Sequence, residues 1–220
     1  MGKAQHDMGD LIPAIDSFRQ ALKFKPEFTN AHYNMGNAQA DKGDLEEAIN
    51  SFKQALKVKP AFAEAYFNMG NAQMKMDDQK TASNSFKQAL KIKPAFAEAH
   101  LSLSGTISYA KNDAHIVQMQ TLHQDDKTND DARCSLSFAL AKAHADTGDL
   151  ESSFAYLSQG NALRKKMLDY DIEQDVKLFE TLEISHPIVE NHAIQNLDAP
   201  SELKPIFILG MPRSGTSLVE

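Results

Sequence analysis

The first half of this chain repeats itself. Residues Ser51–Ala65 read SFKQALKVKPAFAEA and residues Ser85–Ala99 read SFKQALKIKPAFAEA, identical except for Val58 against Ile92. A shorter copy, SFRQALKFKPEF, begins at Ser17, so the copies stand 34 residues apart. That period belongs to stacked helix–turn–helix units, which bury a continuous core only by packing one unit on the next. The residue sizes within a unit fit this. Gly36 and Gly70, with Ala38 and Ala72, leave room for a first helix (helix A) to lie close to a second (helix B). Ala48, Ala82, Ala55 and Ala89 do the same on helix B, while Phe52, Phe86, Met35, Met69, Leu56 and Leu90 fill the space between at helical spacing. Pro26, Pro60 and Pro94 end each helix B, because proline cannot continue it. Gly43-Asp44 supplies a left-handed turn and an N-cap between helices A and B.

These residues resemble the tetratricopeptide repeat (TPR) family over residues 1–100, about three repeats with the first incomplete. One departure recurs: the tryptophan usual near the start of helix A is His32, Tyr66 and His100 here. Met1-Gly2 stands in register with Met35-Gly36 and Met69-Gly70, which leads to the expectation that the chain opens part-way through a helix A. In TPR proteins helices A line the concave face, so the resemblance places Asn34, Asn37, Asn68 and Asn71 there. A carboxamide both donates and accepts, which suits the main chain of an extended peptide. The arrangement is similar to the asparagine-lined TPR groove of O-linked N-acetylglucosamine transferases. Asparagine at these positions is also common filler in such repeats. On the B helices Arg19, Lys23, Lys25, Lys53, Lys57, Lys59, Lys87, Lys91 and Lys93 form a repeated cationic stripe, either a solvated outer face or a surface for an acidic partner.

From Ala97 the pattern degrades, and residues 101–185 read as degenerate TPR-like helices. Ala97–Ala110 keeps the helix A position, but Ser104 replaces the packing glycine and Lys111-Asn112 replaces Gly-Asp. Ile116, Met119 and Leu122 give a shorter helix, and Asp125–Asp131 a polar loop. A further hairpin follows: Ser135–Thr147 with Leu136, Phe138 and Leu140, then Glu151–Met167 with Phe154, Leu157 and Leu163 facing them. Ile172–Ile184 reads as an amphipathic helix carrying Val176, Phe179 and Leu182, stopped by His186-Pro187. Residues 186–204 read as a linker. The histidines show no metal-ligand spacing, so no metal site is expected. Cys134 has no paired base in view and is expected to be structural.

The last sixteen residues change character. Pro205–Gly210 (PIFILG) is a short apolar run with the reading of a buried parallel strand, followed by Met211-Pro-Arg-Ser-Gly-Thr-Ser217 and the start of a helix. Strand, small-residue loop and helix start make a phosphate cradle. Gly210 and Gly215 have the Walker A spacing, but Thr216 stands where its lysine would be, which disfavours a nucleotide triphosphatase. The segment PIFILGMPRSGTSLVE instead resembles the 5′-phosphosulfate-binding loop of sulfotransferases that use 3′-phosphoadenosine 5′-phosphosulfate (PAPS). Its Pro-Arg-Ser-Gly-Thr form is similar to the protein-tyrosine sulfotransferase branch and to bacterial proteins that fuse TPRs to such a domain. The stretch Ser135–Leu163 also resembles the helical hairpin before the enzyme domain in those fusions.

The resemblance implies that Arg213 neutralises charge on the transferring group, and that Ser214, Gly215, Thr216 and Ser217 hold the 5′-phosphate. The general base and the 3′-phosphate site would lie beyond Glu220.

Composition bounds the rest. The single cysteine excludes an intramolecular disulfide, no apolar run approaches the roughly 18 residues of a membrane span, and the net charge of −7 disfavours a nucleic-acid binder. A cytoplasmic protein is therefore expected. Residues 1–100 hold 13 Lys and Arg against 12 Asp and Glu, whereas residues 101–204 hold 9 against 17. The fold expected is mostly α: a TPR superhelix followed, at residues 205–220, by the first strand and P-loop-like turn of an α/β sulfotransferase domain. The function expected is the N-terminal part of a PAPS-dependent sulfotransferase with a protein or peptide partner on the TPR concave face. The chain as it stands is expected to be inactive, its catalytic domain incomplete. The alternative is a non-catalytic TPR adaptor.

Overall fold

The structure is a computed structural model that describes residues 2–168 and 172–192. It divides into two units, residues 1–170 and 171–220. The described residues form helices and turns, with no strand among them. The first unit begins with three hairpins: α1 (Gly2–Asp7) with α2 (Leu11–Phe24), α3 (Thr29–Lys42) with α4 (Leu45–Val58), and α5 (Ala63–Lys75) with α6 (Gln79–Ile92). Their boundaries follow from local chemistry. Lys25, Lys59 and Lys93, each preceding a proline, leave the helix with nearly the same dihedrals, φ −137, −130 and −129° and ψ 86, 88 and 83°. The ring of the following proline excludes helical geometry at that residue. Gly43 ends α3 at φ 95°, and Asp44 N–H bonds back to the Gln39 carbonyl at 2.9 Å. In the next unit Asp77 adopts φ 61° in place of that glycine. Asp44 takes the N-cap position without capping through its side chain: its carboxylate pairs with Lys42 at 2.6 Å. Asp78 does cap, accepting from Thr81 N–H at 3.1 Å.

Packing within these hairpins is set by a glycine against a phenylalanine. A Cβ on Gly2, Gly36 or Gly70 would lie 2.8, 2.7 or 2.6 Å from the ring of Phe18, Phe52 or Phe86. Only glycine lets helix A approach helix B this closely, and Phe52 and Phe86 are fully buried as a result. Beside each such contact a serine of helix B donates to a glutamine of helix A: Ser17 to Gln5 at 2.6 Å, Ser51 to Gln39 at 2.6 Å, Ser85 to Gln73 at 2.7 Å. Gln39, Gln73, Ser51 and Ser85 are buried, so these bonds satisfy groups that have lost water. The core is strung along the stack as successive clusters, one after another between neighbouring helices.

The fourth hairpin breaks the pattern. The helix expected over Ala97–Ala110 ends at Ser104 as α7 (Ala97–Ser104), and α8 begins only at Ala114 (Ala114–Gln124). Ser104 and Thr106 hydroxyls donate to the carbonyls of Leu101 and Leu103, local bonds that compete with the helix ladder, and Gly105 lies between them. The freed segment is held from α9 (Asp130–Asp146): the Asp146 carboxylate accepts from Tyr109 N–H at 3.0 Å, and Lys142 Nζ donates to the Ile107 carbonyl and to Asp146. Helix α9 starts inside the expected 125–131 loop, capped by Asn129 onto Ala132 N–H at 2.8 Å.

Helix α10 (Leu150–Leu168) completes the hairpin with α9, but not through the residues expected. Leu136 and Leu140 are buried, whereas Phe154 is 71% and Leu157 42% exposed. The close approach is made by Gly160, where a Cβ would meet the Phe138 ring at 3.2 Å. Cys134 sits beneath it, its thiol donating to the Gly160 carbonyl at 3.4 Å. Burial pushes that thiol above its ordinary pKa, consistent with a structural cysteine.

In the second unit α11 (Ile172–His192) continues through His186-Pro187, the expected stop. Proline removes one N–H donor but leaves the residues after it free to be helical. The strand and loop expected over 205–220 lie outside the described residues.

Candidate peptide-binding groove

Asn34 and Asn37 lie on α3, Asn68 and Asn71 on α5, and a spacing of three puts each pair on one helix face. The structure brings three of the four together. The Asn68 amide donates to the Asn37 carbonyl oxygen at 2.9 Å and to the Tyr33 hydroxyl at 3.0 Å. Asn37, Asn68 and Asn71 then line a groove of about 530 Å3 with His6, Asp41 and Lys75. Asn34 lies in the next cleft toward the N-terminus, about 550 Å3, beside Phe18 and Phe28. At the rim His6 Nε2 bonds the Asp41 carboxylate at 2.7 Å and ties α1 to α3.

The orientation of the asparagines rests on Tyr33, which the pattern of asparagines alone does not single out. Its ring is wedged 5.9 Å from Phe52 and 4.8 Å from Phe62, centroid to centroid. The corresponding Phe67 makes the same contacts with Phe86 and Phe96, at 5.9 and 4.8 Å, but has no hydroxyl to offer. Both Asn68 amide hydrogens are thereby engaged, and its carbonyl oxygen is left as an acceptor toward the groove. Asn71 adds a half-buried carboxamide. Lys75 supplies a cation and Asp41 an anion. Such a surface can match the alternating N–H and C=O groups of an extended main chain.

The cationic stripe is exposed throughout its nine residues. Lys25, Lys59 and Lys93 reach over the rings of Phe28, Phe62 and Phe96 at 5.5, 4.7 and 4.5 Å, cation–π contacts repeated at each turn between units. Arg19 pairs with Asp16 and Lys93 with Glu64.

The histidines that stand where a tryptophan is usual have a structural job. His32 Nε2 donates to the Pro26 carbonyl at 2.7 Å and His100 Nε2 to the Pro94 carbonyl at 2.8 Å. At His100 the chain of bonds continues: His115 Nε2 lies 2.7 Å from His100 Nδ1, and the Tyr109 hydroxyl 2.8 Å from His115 Nδ1. With His100 Nε2–H committed to a carbonyl, both imidazoles are satisfied as neutral rings. Burial lowers the pKa of His100, and burial together with His100 pushes His115 down to about 4. Burial, with Asp113 and Asp146 nearby, raises the Tyr109 phenol. Sequence spacing could not have found this cluster, since its members meet only because the helix breaks at Ser104. Arg213, Ser214, Gly215, Thr216 and Ser217 lie outside the described residues.

Comparison with known proteins agrees with the repeat fold. Residues 2–43 and 36–77 match the model of the TPR repeat, and residues 63–96 that of the tetratricopeptide repeat. Residues 2–96 are TPR repeats. Among solved structures, 77% of the chain aligns with 98% of MamA at a TM-score of 0.59 and 20% identity. YrrB, whose structure is described as that of a TPR protein with an unusual peptide-binding site, aligns over 82% of its length with 74% of this chain, at a TM-score of 0.55 and 17% identity. At those identities the likeness establishes the fold. An uncharacterized protein of Aquifex aeolicus (strain VF5) is 34% identical over 113 residues, 51% of this chain. The chain spans 15% of the length of that relative. No helix among the described residues is long and apolar enough to cross a membrane.

Proposed function

We propose that this chain is a protein-interaction scaffold that holds an extended peptide in the groove between α3 and α5. The observation that carries the reading is the Tyr33–Asn68–Asn37 network: it orients carboxamides beside Asn71 in an open groove. YrrB, described as a TPR protein with an unusual peptide-binding site, supports peptide recognition as a use of this fold. The test is an array of short unrelated peptides, with the hits titrated against Asn68→Ala and Asn71→Ala variants. Each substitution is expected to weaken binding at least about tenfold, the equivalent of about 1.4 kcal/mol, by leaving main-chain groups of the peptide unpaired. Peptides that bind both variants as well as they bind the unaltered chain would place recognition elsewhere.

A second reading rests on the sequence LGMPRSGTS at residues 209–217. It makes the scaffold the front part of a PAPS-dependent sulfotransferase that transfers a sulfuryl group to a hydroxyl acceptor. Arg213 would stabilise charge on the transferring group, and Ser214, Gly215, Thr216 and Ser217 would hold the 5′-phosphate through hydroxyl and main-chain N–H donors. The test is sulfate transfer from PAPS by the longest natural form of the protein, with Arg213→Ala beside it. Turnover lost on substitution supports the reading. Equal turnover by both forms would remove Arg213 from it, and no turnover by either leaves the scaffold reading alone.

A further inference from the structure

Where the repeats break lies a cleft that shares no residue with the asparagine groove. Between α6 and the start of α8 lies a space of about 480 Å3, floored by Leu90, Leu103 and Ile107. Lys87 and Lys91 stand one helical turn apart on α6 and both line it, with His115 and Gln118 opposite. Two observations bear on these lysines. First, they occupy positions i and i+4, where like charges disfavour the helix, and the residue one turn before Lys87 is Ser83 rather than a carboxylate. Neither lysine forms an ion pair among the described residues, unlike Lys93 with Glu64. Second, the carboxylate lining the cleft, Asp113, is already engaged as the cap of α8, accepting from His115 N–H at 2.9 Å. Lys87 and Lys91 are thus the two cations lining the cleft, against the single carboxylate of Asp113.

We propose that this cleft is a second docking site, for an acidic peptide segment that seats one apolar side chain on Leu90, Leu103 and Ile107 and sets carboxylates beside Lys87 and Lys91. The source of the apolar anchor is a protein partner, because the floor is small and flanked by two cations at helical spacing. A carboxylate on each side of one aliphatic residue matches that layout. The site is independent of the asparagine groove: Leu90, Ile107 and the two lysines share no residue with it. Lys53 and Lys57 on α4, and Arg19 and Lys23 on α2, repeat the charge pair at the same repeat position. They continue the cationic character of the B helices away from the cleft.

The experiment is fluorescence anisotropy of the full chain with a labelled peptide of alternating glutamate and leucine, and with its lysine–leucine counterpart. The acidic peptide is expected to bind and to weaken steeply as salt rises. Lys87→Glu with Lys91→Glu should cost at least about tenfold in affinity at low salt, and the cost should shrink as salt screens the charges. The combined Asn68→Ala and Asn71→Ala variant should bind it unchanged. Both lysines are exposed, so the reversed variant should fold, and its melting curve checks that. Lys87→Gln with Lys91→Gln provides a milder pair should the reversal perturb folding. Failure of the acidic peptide to bind, equal binding by the lysine variants, equal binding of the lysine–leucine peptide, or loss on changing the asparagines would each overturn the proposal. The last of these would move binding of this peptide to the asparagine groove, and the other three would leave the groove reading untouched.

Discussion

Residues 2–96 and residues 97–168 solve the same packing problem in opposite ways. In the first region the glycine sits on helix A and the phenylalanine on helix B, three times over, with Cβ clearances of 2.6 to 2.8 Å. In the α9–α10 hairpin the phenylalanine, Phe138, is on the first helix and the glycine, Gly160, on the second, with a looser 3.2 Å. The first region is also cross-tied by its three serine–glutamine bonds, each spanning twelve residues. The second is tied by polar groups that do not recur: Lys142 and Asp146 on the 105–113 segment, and the His100–His115–Tyr109 chain. A repeat reuses one local solution. Where the repeat ends, each contact has to be built once, from residues with no counterpart elsewhere.

The largest expected effect tests that contrast directly. Gly70→Ala pushes a methyl into a fully buried phenylalanine ring and should lower stability by about 2–3 kcal/mol, even though alanine is the better helix former. Gly160→Ala meets the looser contact, and its helix-propensity gain of about 1 kcal/mol should leave it close to neutral in chemical denaturation. Equal losses at the two sites would abolish the distinction.

Next in size is the cross-tie. Ser85→Ala removes the partner of buried Gln73 and should cost about 1–2 kcal/mol, and replacing Gln73 by leucine in the same chain should recover part of it. A third effect depends on pH. The ordinary histidine value is 6.5 and His115 in the fold lies at about 4. The unfolded chain therefore takes up a proton that the folded chain refuses, and stability is full above 6.5 and falls as pH drops from 6.5 toward 4. Protection factors of amides in residues 105–124, corrected for the intrinsic pH dependence of exchange, should fall with acidification while those of α4 and α6 hold, and His115→Asn should flatten the response. Parallel loosening of both regions would argue against a local cause. The smallest effect is a gain. Asp77 holds φ 61°, and Asp77→Gly should raise stability by about 0.5–1 kcal/mol by removing that strain.

The regular region was almost wholly legible before the structure. The prolines at 26, 60 and 94, the glycines at 36 and 70 and the Gly43 turn act within a few residues of themselves, and their consequences hold wherever they occur. The Gln5, Gln39, Gln73 and Ser17, Ser51, Ser85 series was equally readable in the period, though polar pairs twelve apart draw less notice than apolar ones. The groove was partly legible. Asn37, Asn68 and Asn71 meet as their spacing implies, but Asn34 falls in the neighbouring cleft, and Tyr33 emerges as the residue that orients Asn68. The irregular region was the least legible. The helix end at Ser104, the outward turn of Phe154 and Leu157, and the continuation of α11 past Pro187 depend on partners distant in sequence, or on helix energetics that one punctuating residue does not decide.

What the amino-acid order determined by itself is a stack of hairpins with a 34-residue period, because steric limits at proline and glycine and the size match of glycine to phenylalanine are properties of short segments. Only the tertiary structure decided where that stack loses its regularity, which asparagines share a groove, and that Lys87 and Lys91 overlook a cleft. Those outcomes depend on the relative placement of whole helices, which is settled by the sum of many weak contacts across the interior rather than by any one residue.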